Sequence, residues 1–416
     1  MKSSFLSAAA ALLFVPMFLA AQGEAPKGPW SFTAGAAVRE SYDSNVLLQD
    51  KGDQARRKSW VTAVSPGLGA AYSAGPEFKA AGSYGADVVR YHEQSSENNV
   101  THRGALTLGG KSGDTAWESP NSLTWIDGSK EGPAFTGGGG IPAVGGIPIR
   151  DRRAALIYRD SIKLTQTMGR WFARPVFTSY VHDFRTAQYA AAGVHAGYEN
   201  YVSRYEVNGG LDAGFAVREK TWAVLGYRVG RQHQGLLLGA DSPYSNTYHR
   251  FLAGAEGEPT SWLKVNVLAG PELRRAYAGA PAGFQRNRTR WYYDAALTLT
   301  PTAADSVAAS ARRYEQPAFS SQSAYEDVNY ALTWQHKFCD RLAANAGFKV
   351  YAGLWQPPVQ RRDWIYTPSL SLSGSLDKHL SADLAYSYDW VSSAVANTDN
   401  REFRRHLVSV GVKYAF

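Results

Sequence analysis

Hydrophobic and polar residues alternate with a period of two along almost the whole chain, and the 3.6-residue period of a helix is nearly absent. In the last segment His406, Val408, Val410, Val412, Tyr414 and Phe416 share one face, while Arg405, Leu407, Ser409, Gly411 and Lys413 share the other. Trp30, Phe32, Ala34, Ala36 and Val38 oppose Ser31, Thr33, Gly35, Ala37 and Arg39 in the same way. So do Leu380, Ala382, Leu384, Tyr386, Tyr388 and Trp390 against Ser381, Asp383, Ser387 and Asp389. The pattern predicts strands over 30–42, 59–72, 77–91, 99–109, 114–126, 152–166, 171–184, 200–217, 221–233, 246–257, 261–275, 288–301, 305–315, 324–337, 341–354, 362–376, 380–391 and 402–416. Segments 171–184 and 246–257 alternate poorly.

The gaps between segments fall into two alternating classes. Those at 73–76, 110–113, 167–170, 218–220, 258–260, 302–304, 338–340 and 377–379 are short, and the others are longer, up to 127–151. A tilted strand crosses a bilayer core in roughly 9–11 residues, so each segment is long enough to span. In lipid every backbone N–H and C=O needs a protein partner, so spanning strands must close on themselves. The expectation is an all-β fold, a transmembrane antiparallel up-and-down β-barrel of about 18 strands over residues 30–416. Sixteen strands is the neighbouring alternative, since one mis-split hairpin changes the count by two. Short turns are expected on the periplasmic side and long loops outside the cell.

Aromatic residues gather near the ends of the apolar face, where amphipathic rings suit a membrane interface. Trp30, Tyr72, Phe78, Trp117, Phe215, Trp262, Tyr414 and Phe416 are expected at the periplasmic rim. Trp60, Trp125, Tyr158, Tyr227, Trp291, Trp364, Tyr388 and Trp390 are expected at the outer one. A secreted soluble β-protein, a propeller or β-helix, also alternates, but it predicts neither the two classes of connection nor aromatics at both ends.

Composition narrows the choice. The chain has 416 residues, with charged residues at 19%, aromatics at 13% and a mean hydropathy of −0.33. Past the N-terminal stretch no apolar run is long enough for a spanning helix. Tyr and Trp are too abundant for disorder, and one Cys excludes a disulfide scaffold. Lys2, an apolar stretch from Phe5 to Phe18 broken by Pro16, and Leu19-Ala20-Ala21 predict a signal peptide over 1–21, cleaved before Gln22. Residues 22–29 then form a short periplasmic segment. Losing Lys2 leaves 43 basic against 36 acidic residues, a net charge of +7.

The polar face is the candidate lumen. Its basic residues are Lys79, Arg103, Arg153, Arg159, Lys163, Arg204, Arg228, Lys264, Arg274, Arg288, Arg290, Arg312, Lys337 and Lys349. Its acidic residues are Asp87, Glu206, Asp212, Glu272, Asp294, Asp327, Asp383 and Asp389. The basic excess focuses positive potential in a low-dielectric tube and favours anions. Tyr292 and Tyr314 are candidates to stack on sugar rings. The alternative is that these charges pair across strands and stiffen the wall.

The glycine-rich 127–151 loop either folds inward to narrow the pore or stays at the surface. No HExxH or GxSxG occurs, and Cys339, placed in a periplasmic turn, rules out cysteine-based zinc sites. No catalytic, metal or cofactor residues are assigned. His182 beside Asp183 is the sole suggestion of a dyad and reads more simply as polar surface. The basic residues are spread over many strands, so nucleic acid is not an expected partner.

The terminal Tyr414-Ala415-Phe416, after alternating apolar residues, resembles the assembly signal of outer-membrane proteins. Arg39-Glu40-Ser41-Tyr42-Asp43-Ser44-Asn45-Val46-Leu47-Leu48 resembles the opening of the β-barrel porin family often encoded in exopolysaccharide gene clusters. That resemblance implies a barrel in the outer membrane of a Gram-negative bacterium, working with a periplasmic polysaccharide-export partner to release a polymer. Tyr42, Asp43 and Asn45 are expected to form a turn at the outer rim rather than to bind substrate. Three functions follow in order: translocation of an exopolysaccharide, a diffusion porin for small anionic solutes, and a barrel enzyme or adhesin acting through its outer loops.

Overall fold

The computed structural model describes residues 28–48, 50, 55–129, 153–185, 202–236, 241–277, 279, 283–317, 323–357, 362–394 and 402–416. The signal-peptide assignment and the glycine run of the 127–151 loop lie outside them. The strands are β1 (Trp30–Asp43), β2 (Ser59–Ser73), β3 (Lys79–Tyr91), β4 (Asn99–Ser112), β5 (Thr115–Ser129), β6 (Arg153–Met168), β7 (Trp171–Phe184), β8 (Arg204–Arg218) and β9 (Thr221–Gln234). They continue as β10 (Asn246–Thr260), β11 (Leu263–Ala276), β12 (Asn287–Leu299), β13 (Asp305–Pro317), β14 (Ala324–Cys339), β15 (Leu342–Trp355), β16 (Arg362–Ser375), β17 (Leu380–Ala394) and β18 (Arg404–Ala415). Every strand pairs antiparallel with its sequence neighbours, and β1 also pairs with β18, so the 18-stranded sheet closes.

Alternation alone locates these strands well. β7 has the expected bounds, the largest displacement is the start of β8, at 204 rather than 200, and β4, β5, β10 and β17 each end three residues later than expected. β10 forms despite its poor alternation because both its neighbours supply ladder partners from Asn246 down to Gly257. The expected 127–151 loop starts later, because Asp127 and Ser129 are still in β5 and paired with β6. Cys339, expected in a turn, instead ends β14 opposite Leu342 and is exposed.

One rim carries short turns and the other long loops. Five of the short connections are two residues long. In two of them Gly113 (φ 57°) and Gly169 (φ 61°) take the left-handed conformation that such hairpin turns require. A right-twisted sheet with alternating apolar residues turns one face outward all round. Phe32, Leu68, Leu106, Leu211, Leu225, Leu332 and Leu370 are exposed on it. At the short-turn rim Trp30, Tyr72, Phe78 and Trp117 form a continuous run, with ring centroids 4.8, 6.1 and 6.2 Å apart. At the long-loop rim Tyr42 packs on Trp60 and Tyr366 on Trp390.

Candidate functional site: the lumen and its mouth

The deepest burial lies inside the barrel, toward the long-loop rim. Two pieces of chain turn inward there. After β1, Asn45 N–H donates to Asp43 Oδ1 (2.9 Å), closing a local turn, and Asn45 Nδ2 donates to the Arg404 carbonyl (3.0 Å). Arg405 holds the same Asp43 with two bonds of 3.0 and 2.6 Å. The turn tips Val46 and Leu47 against Tyr91, and Leu48 against Tyr351, Ile365, Val391 and Phe403. The Tyr-Asp-Ser-Asn motif is thus a clasp between β1 and β18 that folds an apolar cap over the mouth.

The second inward piece is the top of the β13–β14 hairpin. β12 and β13 share a ladder only from Leu299↔Val307 to Tyr293↔Arg313. Above Arg313 the two strands part, while β13 keeps pairing with β14 up to Pro317. The freed end leans across the lumen to β8 and β9. Arg204 Nη1 donates to the Pro317 carbonyl (2.7 Å), and Gln232 Nε2 to the Glu315 carbonyl (3.0 Å). Tyr325, stacked on Trp355 at 5.2 Å, and Ser323 are fully buried beneath it.

Charged side chains fill the space between the hairpin and the wall. Arg274 Nε donates to Glu272 Oε1 (3.0 Å) and lies 3.6 Å from Glu315 Oε1, with neither Arg274 nor Glu315 retaining any side-chain exposure. Arg288 Nε donates to Glu315 Oε2 (3.1 Å), and Arg250 Nε to Glu272 Oε2 (2.8 Å). Arg290 Nε sits 3.0 Å from Glu326 Oε1, in the opening between β12 and β13. Tyr248 Oη and Gln232 Nε2 both donate to Glu206 (2.7 and 2.9 Å). Deeper in, Arg174 grips Glu256 with two 2.8 Å bonds and reaches Asp212 at 3.1 Å, while Arg228 donates to Asp212 Oδ1 at 2.7 Å. Charges so buried are tolerable only with partners, and breaking one pair leaves the other ion stranded in low dielectric.

The candidate lining residues divide between this packed region and a more open one. Arg204, Arg228, Arg274, Glu206 and Asp212 belong to the packed side, and Arg290 to the β12–β13 opening. Arg103 with Asp87, Lys163 with Glu118 (3.1 Å), and Arg312 with Asp294 (3.8 Å) line the less crowded wall. Arg159 lies over the Tyr180 ring (4.9 Å). Lys264 faces inward from β11, opposite Thr298, and Lys349 from β15, opposite Thr367. Arg153 opens β6 opposite Ser129. Tyr292 and Tyr314 already carry cations on their rings, Arg250 at 3.5 Å and Arg312 at 4.5 Å, so neither face is bare for a sugar. Below the mouth the β13–β16 wall presents Ser306, Ser310, Thr333, Gln335, Asn345, Ser369 and Ser371, a small and hydroxyl-rich lining.

Sequence reading passed over Arg174, Arg250, Glu256, Glu315 and Glu326. Arg250 lies on β10, where Tyr248 and Leu252 are buried on the same inward face, so parity gives no polar face to find. Glu315 and Glu326 belong to the bent hairpin, whose departure from the wall no periodicity encodes. The His182–Asp183 dyad does not form. Adjacent residues of a strand face opposite ways. His182 is buried inward beside Tyr180 Oη (3.1 Å), whereas Asp183 pairs with Arg185 (2.9 Å) and accepts from Ser203 (3.1 Å). Among the described residues no group of three or more His, Cys, Asp or Glu is arranged to hold a metal ion.

No family model matches the chain, and no curated protein matches it. Among solved structures, OccK9 (OpdG) of Pseudomonas aeruginosa is similar at 11% identity, TM-score 0.43, covering 94% of this chain and 100% of that one. OpdK of the same organism matches at 11% identity, TM-score 0.43, covering 93% and 99%. The FrpB iron transporter of Neisseria meningitidis matches at 9% identity, TM-score 0.48, covering 92% and 82%.

Proposed function

We propose that the chain is an outer-membrane pore, closed at its outer mouth at rest, that passes an anionic, polyhydroxylated cargo: an exopolysaccharide leaving the cell. The membrane assignment rests on the exterior, an apolar belt between two aromatic rims on a sheet with no free edge. The short-turn rim then faces the periplasm. The hydroxyl-rich lower wall offers donors and acceptors to sugar hydroxyls.

The gated reading is carried by one observation, the fully buried Arg274–Glu315–Arg288 cluster that ties the β13–β14 hairpin across the lumen. A carboxylate or phosphate arriving from below can replace Glu315 on the two guanidiniums. Exchange of one anion for another leaves both arginines satisfied and frees the hairpin. The test is conductance in a planar bilayer. The wild type is expected to be mostly silent, and Glu315→Gln to show long, anion-selective openings. A large, steady wild-type conductance favours the second reading, a diffusion porin with an anion preference. Loss of surface polymer in a deletion strain, restored by the intact gene, identifies the cargo class. Retained secretion removes the polymer from the proposal.

A further inference from the structure

The outward face of β8–β11, near the long-loop rim, carries cations where much of the belt is apolar. On β9 the outward series runs Leu225, Tyr227, Val229, Arg231, His233, and on β11 it runs Ala269, Pro271, Leu273, Arg275, Tyr277. Arg231 pairs across the ladder with Thr247 of β10, and Thr247 pairs with Arg275 of β11. The two arginines therefore lie in one row, two strands or about 10 Å apart. His249 is two residues below Thr247 on the same face, its Nδ1 2.7 Å from Tyr227 Oη. Arg231 lies over the Tyr277 ring at 5.4 Å. Beside it Tyr205, Val207, Arg231 and His233 line a recess of about 320 Å³.

The inward Arg174, Arg228, Arg250, Arg274 and Arg288 are matched with carboxylates; among the described residues Arg231 and Arg275 are not. The carboxylate on the neighbouring outward face, Asp183, is engaged by Arg185 at 2.9 Å. A second outward arginine elsewhere shows the contrast. Arg90 of β3 shares its row with Thr62 and Glu40, so a carboxylate of the chain stands in reach. The Tyr–His diagonal is not what distinguishes the patch, since Tyr84–His102 (2.8 Å) and Tyr386–His406 (2.9 Å) repeat it on other hairpins. The distinction is two cations in a row, directly above Val229 and Leu273, at the level where acyl chains give way to headgroups.

We infer that Arg231 and Arg275, with His233 and His249 beside them, form a docking site for the phosphate of an anionic lipid in the outer leaflet. The headgroup phosphate bridges the two guanidiniums, and an acyl chain lies down the recess between Tyr205 and Val207. Charge complementarity selects the occupant: a zwitterionic headgroup brings its own cation into the row, and an anionic one does not. The inference rests on the outer-membrane reading above.

The test uses the full chain refolded into three kinds of vesicle: phosphatidylcholine alone, and phosphatidylcholine with either phosphatidylglycerol or bisphosphorylated lipid A. Lipid retained through detergent extraction is counted by native mass spectrometry. The wild type is expected to keep the phosphorylated lipids in preference to phosphatidylcholine. Arg231→Gln with Arg275→Gln should lower that retention roughly tenfold, while Arg90→Gln leaves it unchanged. Equal retention by the double variant, or no preference in a wild type that has inserted, overturns the site and leaves the pore reading intact. Displacement of the lipid by millimolar inorganic phosphate also overturns it, because it marks a free-anion site. Failure of the wild type to insert into any vesicle overturns both readings together.

Discussion

Arg39 and Asp383 are separated in the wall by a whole strand, yet the Arg39 guanidinium donates to both Asp383 oxygens, at 3.0 and 2.9 Å. The residue between them is Gly411, paired with Arg39 on one side and Asp383 on the other. A Cβ at Gly411 would come 2.6 Å from Asp383 Oδ1 and 3.2 Å from Arg39 Nε. The glycine is a seat over which the bridge crosses β18, the strand that closes the barrel. Gly411→Ala is expected to destabilise the barrel by about 1–3 kcal/mol through overpacking. The urea midpoint of its heat-modifiable band should fall. In an Asp383→Ala background the same change should cost much less, and an undiminished cost would locate the strain elsewhere.

The buried cluster predicts asymmetric mutational costs. Arg274→Met leaves the fully buried Glu272 and Glu315 each short of a partner, which costs about 3–5 kcal/mol. Replacing Arg274, Arg288 and Glu315 together with apolar residues of similar volume should recover most of that stability, because Glu272 keeps Arg250 and Arg290 keeps Glu326. Equilibrium unfolding of the single and triple variants in detergent checks this. A triple variant no better than the single one shows that geometry, not charge, sets the cost.

How far the sequence could be read depends on which rule each residue obeys. Wall residues obey parity, so Arg103, Asp87, Lys163 and Asp294 could be assigned a face from alternation. Their crossings over glycine could not, because Gly411 and its like look the same as any small residue on a strand. The same holds at Gly230, where a Cβ would meet the Tyr248 ring at 2.3 Å. The mouth was least legible. It depends on β13 leaving β12 above Arg313, a tertiary event driven by partners on β8 and β9 far away in sequence. The Tyr-Asp-Ser-Asn turn was legible as a turn, but its grip on Arg405, more than three hundred residues later, was not.

A carboxylate stands on the outward face in mid-belt. Asp160 sits halfway along β6 on the outward face, in a row with Asn121 and Ser179, and accepts from Ser179 Oγ. Tyr158 Oη donates to Asn121 beside it (3.0 Å). A carboxylate at that depth is costly even with these partners. Asp160→Leu is therefore expected to raise stability by about 1 kcal/mol, read as a higher urea midpoint. A lower midpoint would mean that the polar row contributes more through its hydrogen bonds than the lipid-facing charge costs.

Arg312 and Asp294 face each other at 3.8 Å across β12 and β13, each about half exposed, at 54% and 53%. Unlike the mouth cluster, they stand where a passing ion can feel them. Arg312→Gln removes positive potential from the wall and Asp294→Asn removes negative potential. The two should shift the reversal potential under a salt gradient in opposite directions, the first toward cations and the second toward anions. Where the wild type is silent, both belong in the Glu315→Gln background. The shifts should shrink as salt rises from 0.1 to 1 M, since the screening length falls from about 10 to about 3 Å. Equal, same-sign shifts would show that the current bypasses this wall.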